Sequence, residues 1–131
     1  MTMPILQLKL VSVLNLRECW QKRAARAKLH RESAYHHCIL VFGVVRPKLP
    51  VVVTLTRLAP RELDSDNLQS GGKAVRDGVA DYFSTDDRNP GIEWQYKQEK
   101  AKDYGIRIEI KEIQCNKSHL TNANKNTSLL P

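Results

Sequence analysis

The chain contains no run of 18 apolar residues, which excludes a membrane-spanning helix. Residues 1–10 lack a basic start, a long apolar core and a small-residue cleavage site, so no secretory signal is read and the expected compartment is the host cytoplasm. Cysteine is scarce: Cys19, Cys38 and Cys115 are odd in number, widely spaced and free of any CxxC. That excludes a disulfide framework and a zinc ribbon, and leaves ordinary reduced thiols. No internal repeat is present. Acids are missing from one half of the chain: residues 1–60 hold ten Lys/Arg against Glu18 and Glu32, while residues 61–131 hold eleven against twelve acids. The net charge of +7 is therefore an N-terminal property, and a one-sided basic field suits a polyanion such as nucleic acid. Simple solubility accounts for such a charge as well.

What is present fits one domain of 131 residues. Residues 4–14, bounded by Pro4 and Asn15, alternate in the manner of a strand. From Leu16 the chain is rich in Ala, Arg, Lys, Leu and Glu without Gly or Pro, a helix signal. Leu16, Trp20, Ala24, Ala27 and Arg31 trace the face expected to be buried. The apolar stretch 37–45 reads as strand or helix, with the helix expected to continue to about residue 42. Residues 50–58 form the clearest strand, 66–82 a second helix, and 92–98 with 105–113 a hairpin. The Asn-rich stretch 115–131 reads as a disordered tail after a domain spanning 1–114. The expected fold is α/β (α+β): a small mixed sheet flanked by two helices, in the order β-α-β-α-β-β.

The chemistry concentrates after the best strand. In Asp64-Ser65-Asp66-Asn67 the two aspartates are two apart, so in extended chain they point to one side. Adjacent carboxylates repel unless a cation or proton lies between them, and hard divalent ions take oxygen ligands of this kind. The same segment also reads as a helix cap, with Asp66 capping and Asp64 in solvent. On the following helix, at 100° per residue from Asp66, Ser70, Lys73 and Asp77 fall within about 40° and form a polar stripe. Leu68, Val75, Val79 and Tyr82 fall on the opposite, core-facing side. Asp86-Asp87 then precedes the next strand, as a turn or as a second pair of ligands that approaches the first. The histidines His30, His36, His37 and His119 form no recognisable site. Trp20 and Trp94 read as core residues before base-stacking ones.

At these residues the chain resembles the RusA family of Holliday junction resolvases, common in phages and prophages. The resemblance rests on Asp64-Ser65-Asp66-Asn67 after a strand, Lys73 with Asp77 four residues on, and Asp86-Asp87 before the next strand. It covers roughly residues 50–113. It implies a homodimeric, Mg²⁺-dependent endonuclease, with Mn²⁺ as a substitute, that cuts four-way DNA junctions in recombination and repair. Asp64, Asp66 and Asp87 would be metal ligands and catalytic, Asp86 a supporting ligand, and Lys73 the catalytic lysine. Arg17, Lys22, Arg23, Arg26, Lys28 and Arg61 would contact DNA phosphates. In the best-known member of the family the lysine lies about one turn earlier, where this chain has Ser70. The residues Ser70-Gly71-Gly72 separate the two registers, either within the helix or as a loop, and Gly71-Gly72 costs a helix about 1–2 kcal/mol. Three alternatives stand beside this reading: a non-catalytic DNA-binding module, a nuclease for another branched substrate, and a degenerate prophage remnant.

Overall fold

The fold is organised around β1 (Val51–Ala59), the β-branched run VVVTLTRLA. In the computed structural model, which describes residues 3–11 and 17–113, β1 lies between β2 (Ile92–Lys100) and β3 (Gly105–Glu112). It pairs parallel with β2, Val51 opposite Ile92, and antiparallel with β3, Val51 opposite Glu112. The expected hairpin is therefore not formed. The short link of residues 101–104 carries the chain across the end of β1, where the Ala101 N–H donates to the Ala59 carbonyl. A hairpin would have placed the most apolar strand at an edge. The central position instead hydrogen-bonds both of its edges, which suits the most buried strand of the sheet.

Residues 4–11 of the expected first strand form no named strand, and its residues 12–14 lie outside the described residues. Among the described residues, Leu6 forms one antiparallel bridge with Ile106, two N–H···O bonds of 2.9 Å, and the Leu8 N–H then turns back to the Leu6 carbonyl. The observed order is α1-β1-α2-α3-β2-β3, a mixed α+β fold with a three-stranded mixed sheet and three helices among the described residues. The expected tail, 115–131, lies outside the described residues.

Helix α1 (Trp20–Phe42) ends where the sequence expected it to, at Gly43, whose φ of 91° most side chains avoid. Its buried face differs from the expected one. Of the expected face, Leu16 lies outside the described residues and Trp20, Ala24, Ala27 and Arg31 are exposed; His30, Ala34 and Cys38, at i, i+4 and i+8, are buried. Residues 20–29 extend largely beyond the core, so periodicity in that part of the helix carries no information about burial. Burial pushes the Cys38 thiol up to about 12, and Cys38 and Cys19 are both free thiols.

The single helix expected over 66–82 is two: α2 (Ser65–Gly71) and α3 (Lys73–Tyr82), joined at Gly72. Gly71 cannot carry a side chain, because a Cβ there would lie 2.6 Å from the Val11 carbonyl oxygen. Leu68, Val75, Val79 and Tyr82 are buried as their stripe requires. They join Val51, Val53, Leu55, Ile92, Ile106 and Ile108 in the core between the helices and one sheet face. The other face carries exposed Glu93, Gln95, Lys97, Glu109 and Lys111.

Helices α1 and α3 approach closely at Gly78, where a Cβ would overlap the Arg31 carbonyl oxygen and come within 2.9 Å of the Ala34 Cβ. Gly78→Ala must force the helices apart and is expected to destabilise by about 1–3 kcal/mol in urea denaturation. An unchanged midpoint would show that the close approach is not needed. His30 and His37 face the packed side of α1, and burial lowers the pKa of both, with the Arg26 charge adding at His30. The unfolded chain thus takes up protons first. Their contribution to stability is present above about pH 6.5 and declines as pH falls below it. A His30→Gln variant should show a smaller decline in stability between about pH 7 and 5, read by urea midpoints at each pH.

Candidate functional site

The chain leaves β1 at Ala59 and is tied back to the sheet before α2 begins. Gln98 of β2 brackets Leu63, accepting from its N–H and donating to its carbonyl, both at 2.8 Å. Arg57 Nη1 donates to the Arg61 carbonyl at 2.6 Å. Asp64 follows with extended backbone (φ −69°, ψ 169°), and its Oδ1 accepts from both Asn67 N and Asn67 Nδ2 at 2.9 Å. Asp64, and not Asp66, is therefore the helix cap. Asp66 lies in the first turn of α2, exposed, where the helix dipole favours an acid. The two aspartates are not successive same-side residues of an extended strand.

Beyond Gly72, Lys73 opens α3 and its ammonium bridges two carboxylates: Asp77 Oδ1 at 2.5 Å and Asp87 Oδ2 at 3.0 Å. Burial pulls the Lys73 pKa down, but the hydrogen bonds to Asp77 and Asp87 outweigh it, and the net shift is upward. Lys73 is thus a fixed cation at neutral pH, suited to stabilising negative charge and unsuited to accepting a proton. Arg76, which no sequence motif singles out, braces the same carboxylate. Its Nε lies 3.0 Å from Asp87 Oδ2, off the N–H axis, so the attraction is Coulombic and not a formed hydrogen bond. Nη1 donates to the Tyr96 hydroxyl at 3.3 Å, and the guanidinium lies 4.8 Å from the Trp94 ring centroid. The Trp94 indole N–H donates to the Asp87 carbonyl at 2.9 Å. Trp94 is thus half-buried as core and also fixes the Asp87 loop, whereas Trp20 is 72% exposed. Asp86 turns to Arg88, whose backbone N–H and side chain bring its carboxyl down to about 2.

Lys73 lies where three pockets meet. One, of about 680 Å³, has Arg31, Asp86, Asp87 and Arg88 on its walls. A second, of about 320 Å³, lies against α1 and includes Arg23, Arg26 and His30. The third, of about 580 Å³, holds Asp66 and Asp87 together with Gln69, Ser70, Arg76 and Tyr96. Asp64 lines none of these three pockets. The topology explains this partial convergence. Asp64 and Asp66 follow the C-terminal end of β1, while Asp86 and Asp87 precede the N-terminal end of a strand parallel to it. The two pairs start from opposite ends of the sheet, and α2 and α3 carry the chain between them. Among the described residues, no three His, Cys, Asp or Glu side chains are grouped so as to hold a metal ion.

Of the expected DNA-contacting residues, Arg17, Lys22, Arg23, Lys28 and Arg61 are exposed, and Arg26 is paired with Glu18. Arg23 and Arg26 reach the Lys73 neighbourhood through the second pocket. The one sequence signal for Arg76 is its place three residues after Lys73; its partners Trp94 and Tyr96 come from a strand that sequence alone does not bring alongside.

Comparison of the chain with protein-family models, with curated proteins and with solved structures gives no match. Among the described residues, no helix is long and apolar enough to cross a membrane.

The capping geometry separates two roles at Asp64. Asp64→Asn keeps an acceptor for Asn67 N and should change stability by only a few tenths of a kcal/mol, while Asp64→Ala should cost about 1 kcal/mol in urea denaturation. Equal destabilisation in both variants would mean that the carboxylate's charge, and not its capping oxygen, matters to the fold.

Proposed function

We propose that the chain is a divalent-metal-dependent endonuclease acting on branched DNA, with the four-way junction as its main substrate and a homodimer as its working form. The observation that carries this reading is the pocket in which Asp66 and Asp87 face Lys73 and Arg76. Two carboxylates supply the hard oxygen donors that Mg²⁺ or Mn²⁺ takes, and two fixed cations stand beside them for a phosphate. The donor set thus fits in chemistry, with Asp66 and Asp87 as the residues that would hold the ion; Asp64, bound to Asn67, and Asp86, turned to Arg88, lie outside that pocket. Bound there, the ion would supply a water of lowered pKa and charge for the leaving oxygen.

The chain's own residues account for the rest. The Lys73 ammonium stabilises charge developing on a phosphate as it exchanges Asp87 for that phosphate. Arg76, stacked on Trp94, holds the Asp87 loop at a set distance from α3. Arg23 extends the cationic surface onto α1, beside the Arg26–Glu18 pair, and phosphate contacts of this kind position DNA without reading its sequence. A two-fold dimer would present two such sites to the symmetric strands of a junction.

A second reading is favoured by one specific observation. The Asp87 carboxylate is already balanced by Lys73 and Arg76, and no three donors gather among the described residues. On that reading the protein binds DNA without cutting it. Incubation with a synthetic four-way junction, a flap and a linear duplex decides between them. Nicking of the junction in Mg²⁺, absent in EDTA, is expected to fall on the order of 10²–10³-fold in Lys73→Met. Asp66→Asn should abolish the Mg²⁺-dependent nicking. Equal cutting by wild type and Asp66→Asn would remove Asp66 as a ligand, and metal-independent binding with no cleavage establishes the second reading.

A further inference from the structure

Arg57 is a buried cation without a counter-ion. It belongs to the central strand, is only 6% exposed, and makes no salt bridge among the described residues. Its Nη1 is bound to the Arg61 carbonyl and, at 3.4 Å, to Gln98 Oε1. Its Nε is sealed from solvent with no partner, and its Nη2 has none among the described residues. The remaining residues, 1–2, 12–16 and 114–131, include no Asp or Glu that could neutralise it. A buried charge left unpaired is strongly unfavourable, so such a residue calls for an anion from outside the chain.

The surroundings favour an extended polyanion. Arg61 is exposed beside Arg57, and the link that crosses the end of β1 carries exposed Lys102. Lys9 sits 4.6 Å above the Tyr104 ring in that same link. The acids of this end, Glu62, Asp64, Glu99 and Asp103, are outnumbered by the cations Lys9, Arg57, Arg61, Lys100, Lys102 and Arg107. We propose that Arg57 is a phosphate-binding residue. A DNA strand then runs across the C-terminal end of β1, past Arg57 and Arg61, before it reaches the Asp66–Lys73 pocket. This rests on the proposed DNA-binding function and adds a contact at the sheet end to the one proposed on helix α1.

The test is equilibrium binding of the full chain to a labelled four-way junction in EDTA, across a series of salt concentrations, with thermal melting to confirm that each variant is folded. For every phosphate that the protein ceases to neutralise, the slope of log K against log salt should fall in magnitude by about 0.9. Arg57→Gln should bind roughly tenfold more weakly, with its slope reduced by about that amount. Arg57→Lys keeps the charge and should retain the slope. Gln98→Met frees the Leu63 turn without removing a cation, so its slope should also be unchanged. A folded Arg57→Gln with an unchanged slope, or a Gln98→Met that matches it, overturns the assignment while leaving DNA binding intact. Wild type that binds no DNA at all overturns both this proposal and the proposed DNA-binding function.

Discussion

Everything in this molecule hangs on the two-sided pairing of β1. Because Val51, Val53 and Leu55 need cover on their inner face and both backbone edges need partners, the chain must return to β1 twice, once from each direction. The parallel return through β2 requires a long crossover, and α2 and α3 are that crossover. The antiparallel return through β3 requires a step across the strand end, which residues 101–104 provide. The position of each charged residue of the site follows from these two paths.

The crossover also explains the electrostatics. It lays α3 beside the loop that precedes β2, so Lys73 and Arg76 meet Asp87 and not Asp64. A further ion pair joins the helices, Arg31 to Asp81 with contacts of 2.6 and 2.9 Å. Exposed pairs of this sort add little to stability, on the order of 0–1 kcal/mol. Their effect is geometric: a lysine held by two carboxylates and an arginine stacked on an indole have few alternative positions. Such preorganisation is useful where charge must be met at a fixed place.

How much of this could be read from the sequence depended on whether the signal was local. The β-branched run of β1, the polar and apolar stripes of α3 and the end of α1 near residue 42 all rest on neighbours within a few residues, and all were legible. The break at Gly72 was signalled by the cost of two adjacent glycines, but its cause was not, since it lies in the approach of Val11. The hairpin expectation failed because adjacency in sequence competes with the demand of the most apolar strand for a central place. The face of α1 failed because its N-terminal half covers nothing. The cap fell at Asp64 and not Asp66, a shift of two residues that only the hydrogen bond to Asn67 N reveals. Arg57, Arg76 and Gln98 were invisible as a group, because each acts on residues that only the strand register brings near.

The wide separation of β1 from its partners bears on how the chain is made. Val51 waits for Ile92, 41 residues later, and for Glu112, 61 residues later. As the polypeptide leaves the ribosome, β1 emerges before both of its partner strands, with neither edge occupied and no local hairpin to shelter it. Pairings this distant in sequence form slowly, and an open apolar strand is what other nascent chains adhere to. Synthesis stalled before residue 92 would leave β1 with neither strand partner, so the interval between the emergence of β1 and that of β3 is when this protein depends most on being shielded from its neighbours.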